Sequence, residues 1–354
     1  MPDLHAALLD CMSGRRRGPI ACAARSGLAA LSVPYRLCTG VRRALYEWGF
    51  LISRELSARV VSVGNLTTGG TGKTPLVVWI ARWLQQRNIA TAVLTRGYGA
   101  RPPGGGDSDE TLLFRRLLPK VPLLVGKSRL RLGRQAVERF NTECAILDDG
   151  FQHLAIGRDL DIVLVDSLMP FGFERLLPRG LLREPPGCLR RADLLVFTRS
   201  DLCPKDDLRA LHRRVREICG SRPIVESAHR PVRFYRHLTE ESRPLGWVKG
   251  RRVFAFSALG NPDAFPRTLQ TLGAEVLGHR AFRDHHWYRE SELDEIAQAA
   301  AEAGADAVVT TEKDAVKIAA WRDPAPPLHV LAVEIAFLQG EELLVEALGQ
   351  VLKA

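Results

Sequence analysis

The apolar run Val60-Val61-Ser62-Val63-Gly64-Asn65 leads into a glycine-rich turn, Gly69-Gly70-Thr71-Gly72, and then into the helix-like segment that starts at Lys73-Thr74. Strand, glycine turn and helix in that order are what a phosphate-binding loop requires. The glycines let backbone N–H groups turn inward onto phosphate oxygens, and the helix N-terminus adds its dipole. On this reading Thr68, Gly69, Gly70, Thr71, Gly72, Lys73 and Thr74 hold a nucleotide. Lys73 reaches the β- and γ-phosphates as a point charge, and Thr74 offers a hydroxyl to Mg²⁺. The strict GxxxxGK[ST] pattern wants glycine where Thr67 stands, so the loop is a variant. Such a loop needs a carboxylate at the end of a second strand for the metal's shell. Ala145-Ile146-Leu147-Asp148-Asp149 supplies one, with Gly150-Phe151-Gln152-His153 directly after it. Asp166, which ends Asp161-Ile162-Val163-Leu164-Val165, is a rival whose ordinary alternative is a helix cap.

Three further constellations bear chemistry. Thr198-Arg199-Ser200-Asp201 resembles a degenerate guanine-reading [NT]KxD motif with arginine in place of lysine; the plainer reading is a turn in which Asp201 caps the next helix. Asp284-His285-His286-Trp287 combines acid and imidazoles, and Thr310-Thr311-Glu312-Lys313-Asp314 ends another apolar strand. A metal at the DHH cluster would need further ligands at metal spacing, and none lies nearby in sequence. A structural or surface role competes there with acid–base assistance to phosphoryl transfer.

The elements that must position these residues follow an α/β rhythm from residue 59 onward, short apolar runs alternating with helix-like segments. Strands are predicted over 59–63, 91–95, 121–125, 144–148, 161–166, 193–198, 223–226 and 253–257, and near Glu275 and Ala307. Helices are predicted over 73–87, 128–140 and 205–219, after Pro262 and from Gly340, while Arg101 to Asp107 reads as a loop insertion. The implied fold is a P-loop NTPase-like, mainly parallel sheet flanked by helices, with a smaller C-terminal α/β domain. A polar stretch punctuated by proline and glycine, His229 to Gly250, interrupts the rhythm and holds the boundary, which gives 1–55 as an N-terminal extension, 56–235 as the core that carries the phosphate loop and 236–354 as the smaller domain.

The chain's 354 residues are 46% apolar and 25% charged, enough for a substantial core, which excludes disordered, collagenous and disulfide-scaffold classes. The net charge of +10 points to an anionic partner: nucleic acid, a membrane surface or a phosphorylated substrate. Seven cysteines without a CxxC pair favour a reducing compartment. No run of apolar residues is long enough to span a bilayer. From Arg36 to Ser53, however, Leu37, Val41, Leu45, Trp48 and Ile52 recur at helical spacing beside Arg36, Arg42 and Arg43. Such a helix either packs on the protein's own core or lies in a membrane interface with its arginines among anionic headgroups.

Taken together, eight runs in order resemble the tetraacyldisaccharide 4′-kinase family of lipid A biosynthesis: VGNLTTGGTGKTP (63–75), TRGYG (95–99), VGKSRL (125–130), ILDDGFQH (146–153), LLPRGLLREP (176–185), FSALGNP (256–262), DHHWY (284–288) and TTEKDAVK (310–317). The first 30 residues carry no part of the resemblance. The resemblance implies a kinase that moves the γ-phosphoryl of ATP to the 4′-hydroxyl of a tetraacylated glucosamine disaccharide 1-phosphate. It implies Lys73 and Thr74 as phosphate and Mg²⁺ contacts, Asp149, Gln152 and Glu184 as the metal shell, and Arg129 as a contact to the lipid's anionic or sugar portion. It also implies a catalytic aspartate assisted by a histidine. The family's Gly-Asp-Glu-Pro loop reads Ser108-Asp109-Glu110-Thr111 here, so Asp109 aligns and Asp107 is the substitute; His285 is the histidine, with His286 secondary. A four-chain lipid stays in its bilayer, which turns the 36–53 segment into an interfacial anchor and places a peripheral enzyme on the cytoplasmic face of the inner membrane. The competing classes are a GTPase-like nucleotide switch or metallochaperone using the same loop and, last, a nucleic-acid-binding ATPase; a nucleic-acid partner is not expected.

Overall fold

The structure, a computed structural model, describes residues 4–97, 105–321 and 326–353. In chain order the elements are α1 (Leu4–Ser13), α2 (Pro19–Glu47), β1 (Arg59–Asn65), α3 (Lys73–Gln85), β2 (Thr91–Thr95), α4 (Asp109–Leu117), β3 (Leu123–Val125), α5 (Arg129–Phe140), β4 (Cys144–Asp148), β5 (Leu160–Asp166), β6 (Leu194–Thr198) and α6 (Lys205–Cys219). There follow β7 (Ile224–Arg236), β8 (Ser242–Arg243), β9 (Arg252–Ser257), α7 (Ala264–Thr271), β10 (Glu275–Ala281), α8 (Glu290–Glu302), β11 (Ala307–Thr311), α9 (Glu312–Ala315), β12 (Leu328–Gln339) and α10 (Glu341–Lys353). The α/β class expected from the sequence is the class observed. Residues 98 and 99 of the TRGYG run and 101–104 of the expected loop lie outside the described residues.

The chain divides into two compact units, one of residues 1–94, 127–228 and 337–354, the other of 95–126 and 229–336. The division corrects the expected one. The second unit borrows 95–126 from the middle of the core, the boundary falls within β7 rather than after residue 235, and the C-terminal helix α10 belongs to the first unit. Composition along the chain marks where a rhythm breaks and is silent on which distant segments share a core.

In the first unit β1 runs parallel between β4 and β5, β2 lies outside β4, and β6 lies outside β5 with the start of β7 beyond it. Strands β4 and β5 are buried along their whole length, as strands covered on both faces of a parallel sheet must be. Leu66, Phe151, Val163, Leu195 and Phe197 share a core with Leu211 and Val215 of α6. This packing sets the site, because the loop leaving the central strand is flanked by the ends of its neighbours. Phe151 comes so close to β1 that a Cβ added at Gly64 would lie 2.6 Å from the Phe151 backbone nitrogen and Cβ. Gly64→Ala is therefore expected to cost about 1–3 kcal/mol through overpacking, read as a lowered thermal midpoint; an unchanged midpoint would contradict this contact.

In the second unit β10, β9, β11 and β12 pair in parallel in that order, and β8 pairs antiparallel with β7. Phe234, Val253, Ala255, Phe265 and Leu269 fill one core, and Phe256, Ile296, Val308 and Leu328 another. Helix α4 starts on a Ser108 side chain that accepts from the Thr111 backbone N–H at 3.3 Å, while the Ser108 and Thr111 hydroxyls are 2.9 Å apart. The two departures from the Gly-Asp-Glu-Pro pattern thus become a helix cap that places Asp109 in the first turn.

Helix α2 is longer than the predicted 36–53 segment and lies further toward the N-terminus. It begins at Pro19, ends at Glu47, and leaves Trp48 and Ile52 beyond its end. Its polar face is the one that meets the protein. The Ser32 hydroxyl donates to the Leu176 carbonyl at 3.2 Å, and the Tyr35 hydroxyl to the Arg183 carbonyl at 3.0 Å. Arg42 donates to the Gln152 carbonyl at 3.1 Å, and Arg43 contacts the Cys188 thiol at 2.8 Å. Arg42 and Arg43, expected among lipid headgroups, therefore turn toward protein partners, whereas Arg36 is exposed. Leu37, Val41, Trp48, Phe50 and Ile52 are all more than half exposed. Among the described residues no helix is long and apolar enough to cross a membrane.

Candidate active site

The phosphate loop joins β1 to α3, with Gly72 in the left-handed region (φ 83°) as the cap that lets the helix begin at Lys73. The Thr68 N–H donates to the Leu181 carbonyl at 2.8 Å and the Thr71 N–H to the Gly69 carbonyl at 3.1 Å. Gly69 and Gly70 are exposed at the turn, and Thr74 is half-buried in the first helical turn. The Lys73 ammonium lies 3.2 Å from Asn65 Oδ1 and 3.4 Å from Asp149 Oδ1.

Asp149 follows the last residue of β4 in a left-handed conformation (φ 52°), where a non-glycine residue is held at a cost by its surroundings. Arg183 donates to both carboxylate oxygens, at 2.8 and 2.7 Å, and approaches Gln152 Oε1 at 3.4 Å. Burial alone would push the Asp149 carboxyl up, but the charges and hydrogen bonds of Lys73 and Arg183 hold it below the usual carboxylate value. It is an ionised anchor for two cations. Gln152 Nε2 donates to the Asn65 carbonyl at 2.9 Å, tying the DDGFQH segment to the strand that carries the loop.

The structure thus brings Lys73, Asp149 and Gln152 together and adds Asn65 and Arg183, which the sequence reading did not single out. Both stand within the motif runs, Asn65 beside the loop and Arg183 beside Glu184; the signal in the sequence is a cation adjacent to an expected metal ligand. Glu184 is buried and its Oε2 meets Arg191 at 2.6 Å. Asp166 is taken by an ion pair with Arg199 and by the Leu168 N–H, so it is a strand-end turn rather than part of the phosphate site. Arg199 itself sits in a left-handed turn and Asp201 is exposed. Arg129 is buried at the start of α5, its Nη1 donating to the Lys127 carbonyl at 3.4 Å.

In the second unit Asp109 has no exposed surface, and its Oδ2 accepts from His285 Nδ1 at 2.6 Å. The other carboxylate oxygen accepts from the Glu110 N–H at 3.0 Å. Two residues away, Asp107 instead pairs with Arg115 at 2.7 Å. His286 meets Glu292 at 2.9 Å, near the start of α8. The two open alternatives therefore separate: Asp109 and His285 form a dyad, while Asp107 and His286 have other partners. His285 is held with φ 61°, a strained conformation of the kind that clusters at functional sites. The hydrogen bond to Asp109 raises the imidazole above its ordinary value against burial and the charge of Lys313. Burial would raise the Asp109 carboxyl, but His285, Lys313 and Lys317 hold it down.

A strand, glycine loop and helix carrying Lys73, beside a strand that ends at Asp148 and leads directly into Asp149, define a P-loop NTPase-like protein. The family model described as "Tetraacyldisaccharide-1-P 4'-kinase" matches residues 24–353, and so starts within the first 30 residues, where no resemblance was read. A tetraacyldisaccharide 4'-kinase of Anaeromyxobacter dehalogenans (strain 2CP-C) is 41% identical over 94% of this chain and 92% of its own length. One of Halothermothrix orenii is 38% identical over 87% and 88%. A crystal structure of LpxK from Aquifex aeolicus in complex with ATP superposes with a TM-score of 0.71 at 30% identity, covering 93% of this chain and 99% of that one. The chain belongs to the tetraacyldisaccharide 4′-kinase family.

Proposed function

We propose that the chain transfers the γ-phosphoryl group of ATP to the 4′-hydroxyl of a tetraacylated glucosamine disaccharide 1-phosphate. The observation that carries this reading is the buried Asp109 bonded to His285 at 2.6 Å. An alcohol acceptor needs a base, whereas a nucleotide switch does not. Family membership and the ATP bound to the Aquifex aeolicus relative support the nucleotide.

Lys73 and Arg183 neutralise Asp149; a triphosphate offers both cations a second anion and leaves the carboxylate free to accept another partner. The oxygen donors Thr74, Asp149 and Gln152 fit Mg²⁺, which is hard and takes one or two carboxylates beside substrate phosphates. Glu184 completes that set only by leaving Arg191. An ion held there would neutralise negative charge that develops on the transferring phosphoryl group. Arg129 is assigned to the acceptor's anionic or sugar portion.

At the dyad, Asp109 has both oxygens engaged, while the imidazole keeps Nε2 for the acceptor hydroxyl. The proton passes to His285 Nε2, and Asp109 holds Nδ1–H and stabilises the imidazolium. Incubating the protein with Mg·ATP and tetraacyldisaccharide 1-phosphate is expected to yield a bis-phosphorylated lipid by mass spectrometry, with GTP much the poorer donor. Absence of that product from folded protein would sink the proposal.

Such an acceptor stays in a bilayer, and the exposed Leu37, Val41, Trp48, Phe50 and Ile52 supply an apolar face to meet it on the cytoplasmic side of the inner membrane. Burying a large apolar side chain contributes about 1.5–3 kcal/mol. Trp48→Ser combined with Phe50→Ser is therefore expected to weaken flotation with anionic vesicles by about tenfold or more. Undiminished flotation would remove this face from the account.

A further inference from the structure

Opposite Asp109, the second nitrogen of His285 faces a charged pair that the function above leaves unused. Lys313, on α9, places its ammonium 2.7 Å from Asp284 Oδ1 and 3.5 Å from His285 Nε2. Asp284 also accepts from the His285 backbone N–H at 3.0 Å, and its Oδ2 lies 3.7 Å from His285 Nε2. An ammonium only donates, so the ring nitrogen beside it is the one with a lone pair. Two elements thus select one tautomer: Asp109 takes the proton on Nδ1, and Lys313 faces the bare Nε2. The distances also assign the ammonium's partner. At 2.7 Å it is bonded to Asp284, whereas its 3.5 Å contact with Nε2 is at the outer limit of a hydrogen bond and is the weaker of the two.

We propose that Lys313, anchored by Asp284, is a positioning residue for phosphoryl transfer: it fixes the His285 tautomer and opposes charging of the ring, which keeps a neutral base facing the acceptor hydroxyl. The inference rests on the dyad reading above. The charged groups around the ring are Asp109 from α4, Asp284 from its own loop and Lys313 from α9, with Lys317 acting on Asp109. The two carboxylates favour imidazolium and Lys313 disfavours it. Without the lysine, only burial would oppose Asp109 and Asp284, and the balance would move toward imidazolium, the form that has no lone pair to act as a base. Once the imidazole has taken the hydroxyl proton, the same positive charge favours its return to solvent.

The opposed charges give two variants opposite signs. In the full-length protein with Mg·ATP and tetraacyldisaccharide 1-phosphate in micelles, Lys313→Met is expected to move the acidic limb of the kcat–pH profile up by about one unit, the scale for a partly exposed charge this close. Lys313→Arg restores the limb. Asp284→Asn moves it down, because a favourable charge is lost and the ammonium is released toward Nε2. The His285 ring titration followed by NMR should shift in the same directions. A limb and a ring titration that stay in place in Lys313→Met, with activity lowered equally at every pH, would make Lys313 merely structural and overturn the proposal; so would an upward shift in Asp284→Asn. Failure of the underlying dyad reading is separate: it shows as near-native kcat in His285→Gln, whatever the ring titration does in the Lys313 variant.

Discussion

Lys73→Ala is expected to lower kcat for phosphoryl transfer by about a thousandfold or more. Removing one preorganised donor to developing charge costs about 10²–10³ in rate, and a cation acting on the transferring phosphoryl is worth about 10³–10⁵. Lys73 belongs to the stronger class, because its side chain is only 15% exposed and its charge is weakly screened. The fold should survive. Asp149 keeps its two-pronged contact with Arg183, so no buried carboxylate is left unpaired. The thermal midpoint of Lys73→Ala should stay within a few degrees of the parent while radiolabelled phosphate transfer falls close to background. Lys73→Arg should rescue poorly, since a planar fork on a different stem does not reproduce a point charge between Asn65 and Asp149. Transfer by Lys73→Ala within tenfold of the parent would remove Lys73 from the chemistry.

The same cluster marks how far the sequence could be read. The loop, α3 and the DDGFQH segment were legible because each is local: a few consecutive residues of defined type carry the strand, the turn and the acid. Arg183 was not, since it lies 34 residues from the carboxylate it grips and meets it only through tertiary folding. Sequence aligned Asp109 and left Asp107 as a substitute; the fold separates them, with Asp109 buried in the first turn of α4 on His285 and Asp107 before the helix on Arg115. For α2, periodicity found Leu37, Val41 and Leu45 on one helix but carried the stripe past the helix end to Trp48 and Ile52. Periodicity says nothing about which side of a helix the protein takes, and here Ser32, Tyr35, Arg42 and Arg43 make the contacts instead. Helices α4 and α8 and strand β12 went unread. Helix α4 opens at the polar cap Ser108, directly after the glycine-rich stretch, and only its buried Asp109, Thr111 and Phe114 tie it to a core.

Asp109→Asn and His285→Gln should each lower kcat by about 10²–10⁴-fold, the usual worth of a positioned acid–base group. The two act as one unit, so the double variant should lose little more than the worse single, far short of the product of the two effects. Asparagine is the informative replacement at position 109. It keeps the shape but can present an amide N–H to His285, which invites the tautomer with its proton on Nε2 and turns the base away from the acceptor. Its effect on pH dependence has a definite sign. The base works unprotonated, so kcat falls as pH drops through the imidazole pKa, which the bond to Asp109 holds above the ordinary 6.5. Removing the carboxylate charge and its hydrogen bond leaves only Asp284 favouring imidazolium, against burial and Lys313, so the acidic limb of Asp109→Asn should move to lower pH as the plateau falls. Affinity for Mg·ATP should stay within about twofold, because Lys73, Asp149 and Arg183 are untouched. An acidic limb that moves up instead, or one fixed in place in a variant whose plateau is lost, would mean that Asp109 does not act through His285. Near-native kcat in both single variants would remove the dyad from the mechanism altogether.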